Sequence, residues 1–134
     1  MEPEEILARA VGFDALLGLE LVACSEELVR GRLEVRDELR QPFGVVHGGV
    51  LASIAETLAS VGTAVVVAPQ GMAAMGLSNQ TSFLRPVMAG VIHGRAMRRH
   101  HGRTTWIWDV EISDDDGRLC ALSRMTIAVR PQPR

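Results

Sequence analysis

The chain has 134 residues, an ordinary apolar content and a formal net charge of −2 at pH 7. This length suits one domain with one hydrophobic core, and we expect residues 1–134 to form it. The composition excludes an intrinsically disordered chain, and the small negative charge does not favour nucleic acid as a partner. Cys24 and Cys120 form no CxxC pair, and the acidic N-terminus does not resemble a signal peptide, so we expect reduced thiols in a cytoplasmic protein.

Charge is distributed unevenly along the chain. Residues 1–67 contain 11 acidic residues and 5 arginines, whereas residues 68–134 contain 5 acidic residues and 9 arginines. Lysine does not occur. Because a guanidinium group presents a planar set of donors suited to phosphate, the second half could contact a polyphosphate ligand. For most of these arginines, a solvated position on the outer face of a strand is the simpler interpretation.

The first half of the chain predicts a short helix, two strands and one long helix. The short helix covers residues 3–17, and strands follow at 19–25 and 28–36, the second with clean alternation of apolar and polar residues. The run 48–67 is rich in Ala, Leu and Ser and apolar on almost every side, which predicts a buried helix. A membrane span is the alternative, but one charge in mid-run and the lack of basic flanks argue against it.

After residue 71 the apolar pattern returns to a period of two. It predicts four meandering strands, at 74–84, 91–100, 104–113 and 118–129. One face of the third of these carries Trp106, Trp108, Val110 and Ile112. The sequence Asp-Asp-Asp-Gly at 114–117 predicts the hairpin turn that follows it. We therefore predict an α+β protein with the hotdog arrangement, in which a curved antiparallel sheet of about six strands wraps a long central helix.

Glu56 is the only formally charged residue between Gln41 and Leu84. An ionised carboxylate on a buried helix costs several kcal/mol unless it is paired or partly solvated. We predict that Glu56 lines a pocket at a subunit boundary, where desolvation raises its basicity. The alternative is a carboxylate that reaches solvent or pairs with a distant arginine. Ser60 lies one turn further on the same face, where it can hydrogen-bond the carboxylate or a nearby water, or simply allow close packing.

The predicted helix begins at His47-Gly48-Gly49. Two glycines leave the backbone open to a ligand, and the first N–H groups of a helix have no intrahelical partner. Such groups can polarise a carbonyl oxygen that becomes negative in acyl transfer. Gly48 and Glu56 are eight residues apart, which is roughly 12 Å along a helix axis. One chain can hardly place both on one carbonyl, whereas two antiparallel helices can, so the spacing predicts a site shared across a two-fold dimer.

The stretch 41–49 (QPFGVVHGG), together with Glu56 and Ser60, resembles the hotdog-fold thioesterases of the PaaI-like group. It is closest to the branch with Glu rather than Asp on the helix, which includes one type of 4-hydroxybenzoyl-CoA thioesterase. Four further stretches resemble that branch, namely 78–87 (SNQTSFLRPV), 104–110 (TTWIWDV), 118–123 (RLCALS) and 128–131 (AVRP). The resemblance covers nearly the whole chain.

The resemblance implies hydrolysis of an acyl-CoA thioester by a homodimer with shared sites that assembles as a dimer of dimers. It favours an aromatic acyl group, of the 4-hydroxybenzoyl or phenylacetyl type. Glu56 would attack the thioester carbonyl or activate water, the Gly48 N–H would polarise the carbonyl, and Gln41 would orient it. Ser60 would assist the nucleophile or its water, and His47 would be a neighbouring structural or orienting residue. The nucleotide part of coenzyme A would contact Arg85, Arg103, Thr104 and Arg130. Coenzyme A is then part of the substrate, and no separate cofactor is expected.

Three other interpretations are weaker. A hotdog hydratase or dehydratase also uses a histidine and a carboxylate, but typically has proline-rich spacing after the histidine, where this chain has Gly48-Gly49. A non-catalytic acyl-CoA-binding domain is the second; regulators of this kind carry an added DNA-binding segment, for which we expect no room. A metal site is the third, and it is disfavoured because His100 and His101 point to opposite strand faces and no Cys or Asp cluster completes a ligand set.

Overall fold

The computed structural model describes residue 5 and residues 12–133. Within these residues the chain forms two α-helices and six strands, with a short 3-10 helix before and after the long α-helix. In chain order they are α1 (Phe13–Leu17), β1 (Glu20–Cys24), β2 (Leu28–Glu34), a 3-10 helix (Asp37–Leu39), α2 (Gly48–Val67), a second 3-10 helix (Ala68–Gln70), β3 (Met72–Phe83), β4 (Val91–His101), β5 (Thr105–Ser113) and β6 (Leu119–Pro131). All six predicted strands and the long helix are present, with ends within two residues of prediction. The predicted helix 3–17 lies mostly outside the described residues. A continuous helix through residue 17 is wrong, because Gly12 has a non-helical backbone (φ 66°, ψ −126°) and α1 begins only after it.

All six strands form one antiparallel sheet in the order β1-β2-β4-β5-β6-β3. The predicted meander is confirmed for β4, β5 and β6 but is wrong for β3, which pairs with β6, while β4 pairs with β2. The period of two identifies a strand but not its neighbour. The connection 84–90 contains Pro86 and is too long for a tight hairpin turn. It carries the chain from one edge of the sheet back to β2.

Helix α2 packs against β2, β3, β4, β5 and β6. Close approach is possible because β4 carries Gly94, where an added Cβ would lie 2.7 Å from Leu58 Cδ1 and 2.9 Å from Ile54 Cγ2. By length and hydropathy alone the segment Gly48–Gln70 could cross a membrane, but half of its most apolar window is buried inside the protein. The core helix of a soluble protein can have the same length and hydropathy, so this finding is weak evidence for a membrane span.

The predicted apolar face of β5 is confirmed. Its buried side chains, which α2 covers, are Trp106, Trp108, Val110 and Ile112. The Trp108 indole Nε1 donates a hydrogen bond to Thr63 Oγ1 at 3.0 Å, and the Thr63 hydroxyl lies 2.9 Å from the carbonyl oxygen of Ala59. Thr63 is the buried polar residue of α2, and this indole gives its oxygen a partner, as burial of a polar group requires.

The predicted hairpin turn at 114–117 joins β5 to β6. Gly117 adopts a positive φ of 77°, and its N–H donates to the Asp114 carbonyl at 3.0 Å. The Asp114 carboxylate accepts hydrogen bonds from the backbone N–H groups of Asp116 and Arg118 and from the Arg118 guanidinium. Desolvation would raise the pKa of Asp114, but these bonds outweigh it and lower the pKa below its usual value.

Cys24 lies half-buried on β1, and Cys120 lies on β6. Cys120 is fully buried, and its Sγ contacts the carbonyl oxygen of Arg118. Burial raises the pKa of the Cys120 thiol, which disfavours the reactive thiolate.

Candidate active site

Glu56 projects from the middle of α2 toward β3. Its carboxylate lies beside Gly76, where an added Cβ would be 3.6 Å from Glu56 Cδ, and its Oε1 accepts a hydrogen bond from Asn79 Nδ2 at 3.4 Å. The ion pairs formed among the described residues do not include it. Glu56 is exposed in the single chain, because β3 is an edge strand and no further strand of the described chain covers the carboxylate. The predicted pocket at a subunit boundary, where desolvation would raise the basicity of Glu56, stays a prediction.

Two grooves meet at Glu56. One, of about 150 Å³, extends toward Ser53 and Asn79, and the other, of about 280 Å³, extends toward Ser60. Glu56 and Ser60 therefore share one surface, as their spacing predicted. Asp14 of α1 lines both grooves, and its Oδ1 accepts a hydrogen bond from Thr57 Oγ1 at 3.2 Å. Asp14 was not predicted, because nothing in the sequence indicates that α1 lies beside the middle of α2.

His47 caps the N-terminus of α2. Its Nδ1 accepts a hydrogen bond from the Gly49 N–H at 2.8 Å, so the proton of the neutral ring is on Nε2. The cap satisfies the second N–H of the helix and leaves the N–H of Gly48, the first, available to a ligand. Gly48 is in contact with the ring of Phe83, to which an added Cβ would come within 3.0 Å. A glycine at this position allows β3 and the helix start to approach closely.

Gln41 is placed near the helix start by a tight loop. Its N–H donates to the Val45 carbonyl at 2.8 Å, and its carbonyl accepts from the Gly44 N–H at 2.9 Å. Gly44 has a positive φ of 93°, which favours glycine. The loop then returns to the 3-10 helix, where the His47 N–H donates to the Leu39 carbonyl at 2.9 Å. Gln41 itself remains half-buried.

An apolar cavity of about 460 Å³ opens between α1 and the first turns of α2. Its apolar wall consists of Phe13, Leu16, Leu17, Leu39 and Val50, and its remaining lining residues are Arg36, Glu38, Arg40, His47, Gly49 and Ser53. The cavity shares two of these residues, Phe13 and Ser53, with the smaller groove at Glu56. A ligand that lies along α2 can therefore place an apolar group in the cavity and a polar group near the carboxylate.

Gly48 and Glu56 do not meet within one chain. Gly48 contacts Phe83, whereas Glu56 contacts Gly76 and Asn79. Asn79 and Phe83 are four residues apart on β3, which is roughly 13 Å at the rise of an extended strand. The helix start and the carboxylate thus lie at different points along β3, in agreement with the separation expected from their spacing.

The four residues predicted to contact coenzyme A form two separate groups. Arg130 Nη1 donates to the Thr104 carbonyl at 2.9 Å, and Arg103 precedes Thr104 in the turn before β5. Because Arg130 pairs with Ala73, this group lies at the beginning of β3, whereas Arg85 follows its end. Seven other arginines of the described chain form ion pairs, but Arg85, Arg103 and Arg130 form none there.

Strand β3 forms one edge of the sheet, next to Glu56. No other strand of the described chain pairs with its outer side. It is 12 residues long, and the side chains of Met75, Leu77 and Phe83 are 48%, 63% and 57% exposed. Long apolar edges promote pairing with another chain, and monomers usually avoid them.

These features define a protein of the hotdog-type fold, with an open helix start and a carboxylate at the edge of the sheet. Comparison with known protein families agrees, since residues 43–121 match the family model described as Thioesterase superfamily. The chain belongs to this family and is a thioester hydrolase. This assignment favours hydrolysis over the hydratase and acyl-CoA-sensing alternatives.

Individual relatives support the same assignment. A 1,4-dihydroxy-2-naphthoyl-CoA hydrolase from Listeria monocytogenes is 34% identical over 120 residues, which cover 90% of this chain and 97% of that protein. The proofreading thioesterase EntH from Cronobacter turicensis is 34% identical over 113 residues, covering 84% and 82%. The crystal structure of a mutant thioesterase, PA1618 from Pseudomonas aeruginosa, has a TM-score of 0.88 at 31% identity and covers 97% of this chain and 92% of its own.

Proposed function

We propose that this thioesterase hydrolyses an acyl-CoA with an aromatic acyl group, giving the free acid and coenzyme A. The observation that carries the proposal is the position of Glu56, whose groove adjoins an apolar cavity of about 460 Å³ at the helix start. A cavity of this kind suits an apolar ring. The name of the Listeria relative, which specifies a naphthoyl-CoA, supports an aromatic group. The 4-hydroxybenzoyl and phenylacetyl thioesters are the first substrates to test, and we expect the reaction to occur in the cytoplasm.

Glu56 is the proposed nucleophile or general base. In the first route its carboxylate attacks the thioester carbonyl, the C–S bond breaks, coenzyme A leaves as the thiolate, and water then hydrolyses the mixed anhydride. In the second, Glu56 takes a proton from the water that attacks the carbonyl. In both routes the Gly48 N–H and Gln41 stabilise the developing oxyanion, and Ser60 assists the carboxylate or the water. Label in Glu56 after a single turnover in water labelled with ¹⁸O identifies the covalent route, because it enters only when water attacks the Glu56 carbonyl carbon of the mixed anhydride.

We propose that a second copy of the chain, paired through β3, covers Glu56. Antiparallel pairing about a two-fold axis would cover the apolar edge and bring the helix start of one chain toward Glu56 of the other. It would also place Arg85, at the end of one β3, beside the beginning of the other, where Arg103, Thr104 and Arg130 lie. The two groups would then form one phosphate-binding region for coenzyme A. We further propose that two such dimers associate as a tetramer.

Activity toward a panel of CoA thioesters tests the proposed substrate class. We expect kcat/KM for 4-hydroxybenzoyl-CoA or phenylacetyl-CoA to exceed that for acetyl-CoA by roughly 100-fold, because burial of a ring removes much more apolar surface from water than burial of a methyl group. Release of free coenzyme A can be followed with a thiol reagent. Equal rates across the panel would refute an aromatic preference, and no turnover of any acyl-CoA would refute the proposed function.

Mixed dimers test whether the site is shared. Gly48→Pro removes the proposed N–H donor at the first helical residue, where the backbone of proline is compatible with the helix, and His47 has a backbone conformation (φ −60°, ψ 133°) that a following proline permits. The new ring requires the exposed Phe83 side chain, 3.0 Å from the added Cβ, to move aside. Dimers of Gly48→Pro chains, or of Glu56→Ala chains, are expected to be inactive. A purified heterodimer of the two variants contains one intact shared site, so we expect about half of the wild-type activity. An inactive heterodimer would show that the residues act within one chain.

A further inference from the structure

Asn79 connects Glu56 to the sheet, and the direction of its hydrogen bonds is determined by its partners. Its Nδ2 lies 3.0 Å from the Ala52 carbonyl oxygen and 3.4 Å from Glu56 Oε1. A carbonyl oxygen can only accept, so the amide nitrogen, and not the amide oxygen, must face α2. One N–H then binds Ala52 and the other points to the carboxylate.

Two hydroxyl groups hold the other end of the Asn79 amide. Thr81 Oγ1 donates to Asn79 Oδ1 at 2.6 Å. Ser123, which is opposite Thr81 on β6, lies 2.9 Å from Thr81 Oγ1 and 3.3 Å from Asn79 Oδ1. Because each hydroxyl has one proton and Thr81 donates to Asn79, the Ser123 proton is directed to Thr81 or to Asn79. The hydrogen bonds are therefore all donated in the same direction, from β6 through β3 to Glu56.

We propose that Asn79 is a positioning residue for Glu56, and that Thr81 and Ser123 act through it by fixing the orientation of its amide. The inference rests on the proposed role of Glu56. Glu56 is exposed on its own helix and lacks an ion-pair partner in the described chain, so its side chain has several rotamers available. A donated N–H binds one carboxylate oxygen and selects one of these rotamers.

Thr81 provides the more selective test because it lines neither groove beside Glu56. Any effect of Thr81 on turnover must therefore pass through Asn79, through the proposed pairing of β3 with a second chain, or through folding. Only the first of these routes is removed in the Asn79→Ala background. Thr81→Val removes the donor while keeping the shape of the side chain, and Thr81→Ser restores the hydroxyl. Gln80→Ala is the matched control, since Gln80 lies between the two residues on β3 but lines a groove with Arg124, away from Glu56.

The experiment measures kcat, KM and Tm with the acyl-CoA that the wild-type enzyme hydrolyses fastest. We expect Asn79→Ala to lower kcat about 10-fold and Thr81→Val about threefold, with KM within twofold of wild type. Asn79→Asp is expected to lower kcat further than Asn79→Ala, because an acceptor then faces the carboxylate. Thr81→Ser and Gln80→Ala should behave as wild type. In the Asn79→Ala background Thr81→Val should have no further effect on kcat, because Thr81 acts through Asn79.

Three results would overturn the inference. The first is a kcat within twofold of wild type for both Asn79→Ala and Asn79→Asp. The second is a raised KM with unchanged kcat, which would make Asn79 a substrate-binding residue. The third is full additivity of the two substitutions. If Thr81→Val lowers Tm strongly, its kcat cannot be interpreted. The comparison of Asn79→Ala with Asn79→Asp, at an exposed position, then decides whether Asn79 positions Glu56. An active Glu56→Gln enzyme refutes the proposed role of Glu56, whereas an inactive one with normal Asn79 variants refutes only this inference.

Discussion

Glu56→Gln is expected to lower kcat for thioester hydrolysis by roughly 10³-fold, with little change in KM. Glutamine keeps the size of the side chain and an oxygen that can accept from Asn79, so the groove and the positioning contact are retained. It is neither a base nor a competent nucleophile, and both proposed routes therefore lose their reacting group. Steady-state release of coenzyme A, measured at saturating substrate, provides the comparison.

Glu111→Gln is a suitable control for the general effect of replacing a carboxylate. Glu111 lies on β5 and lines a groove with Arg124 rather than with Glu56, so this variant should retain wild-type kcat. Unchanged Tm in both variants would confirm that the fold is preserved. If Glu56→Gln retains more than about a tenth of wild-type kcat, general acid-base or nucleophilic chemistry by Glu56 is excluded, because such groups contribute at least 10²-fold.

The strands and the long helix could be predicted because the apolar pattern of each one reflects which of its sides is buried. The alternation at Trp106 and Trp108 reflects a strand with one face under α2, and the apolar run of α2 reflects a helix enclosed by the sheet. The position of β3 could not be predicted in this way. Its pattern is compatible with any antiparallel neighbour, and only the folded chain shows that it pairs with β6 and leaves an edge beside Glu56.

The candidate site was predicted where a residue is unusual in its local sequence. Glu56 was found because it is the single charge in a long uncharged segment, and the helix start because of the adjacent Gly48 and Gly49. Whether Glu56 reaches solvent or lies covered at a subunit boundary was left open, since a second chain is the proposed cover and one sequence does not describe an interface. The predicted separation of Gly48 from Glu56 agrees with the structure because it depends only on helical rise.

Asn79 was not predicted as a site residue, although its spacing from a second polar residue is visible in the sequence. Asn79 and Thr81 are polar residues at i and i+2 of a strand, so they share the face toward α2. On an edge strand, such residues are ordinarily interpreted as solvated. Their role depends on the register of β3 against β6, which pairs Thr81 with Ser123, and register is a property of the folded sheet.

Substitution of Gly62 is expected to destabilise the fold strongly. Gly62 is buried in α2, and an added Cβ would lie 2.7 Å from Trp108 Cη2 and 2.8 Å from Val29 Cγ2. Alanine would gain about 1 kcal/mol in helix propensity over glycine, but overpacking of a rigid core typically costs 1–3 kcal/mol. Displacement of the indole also weakens its bond to Thr63, and a buried donor without a partner costs about 1–3 kcal/mol. The net expectation is a loss of about 2 kcal/mol for Gly62→Ala and of about 4 kcal/mol for Gly62→Val.

Urea unfolding monitored by tryptophan fluorescence measures this loss at fixed protein concentration. Gly76→Ala is the matched control, because the same added methyl group would meet Glu56 only at ordinary contact distances of 3.6–3.7 Å. Trp108→Phe removes the ring atoms that a Cβ at Gly62 would approach, so Gly62→Ala should cost less in that background than in the wild type. A Gly62→Ala protein at least as stable as the wild type would show that helix propensity outweighs the contact, and that α2 can move away from β5 without loss of packing.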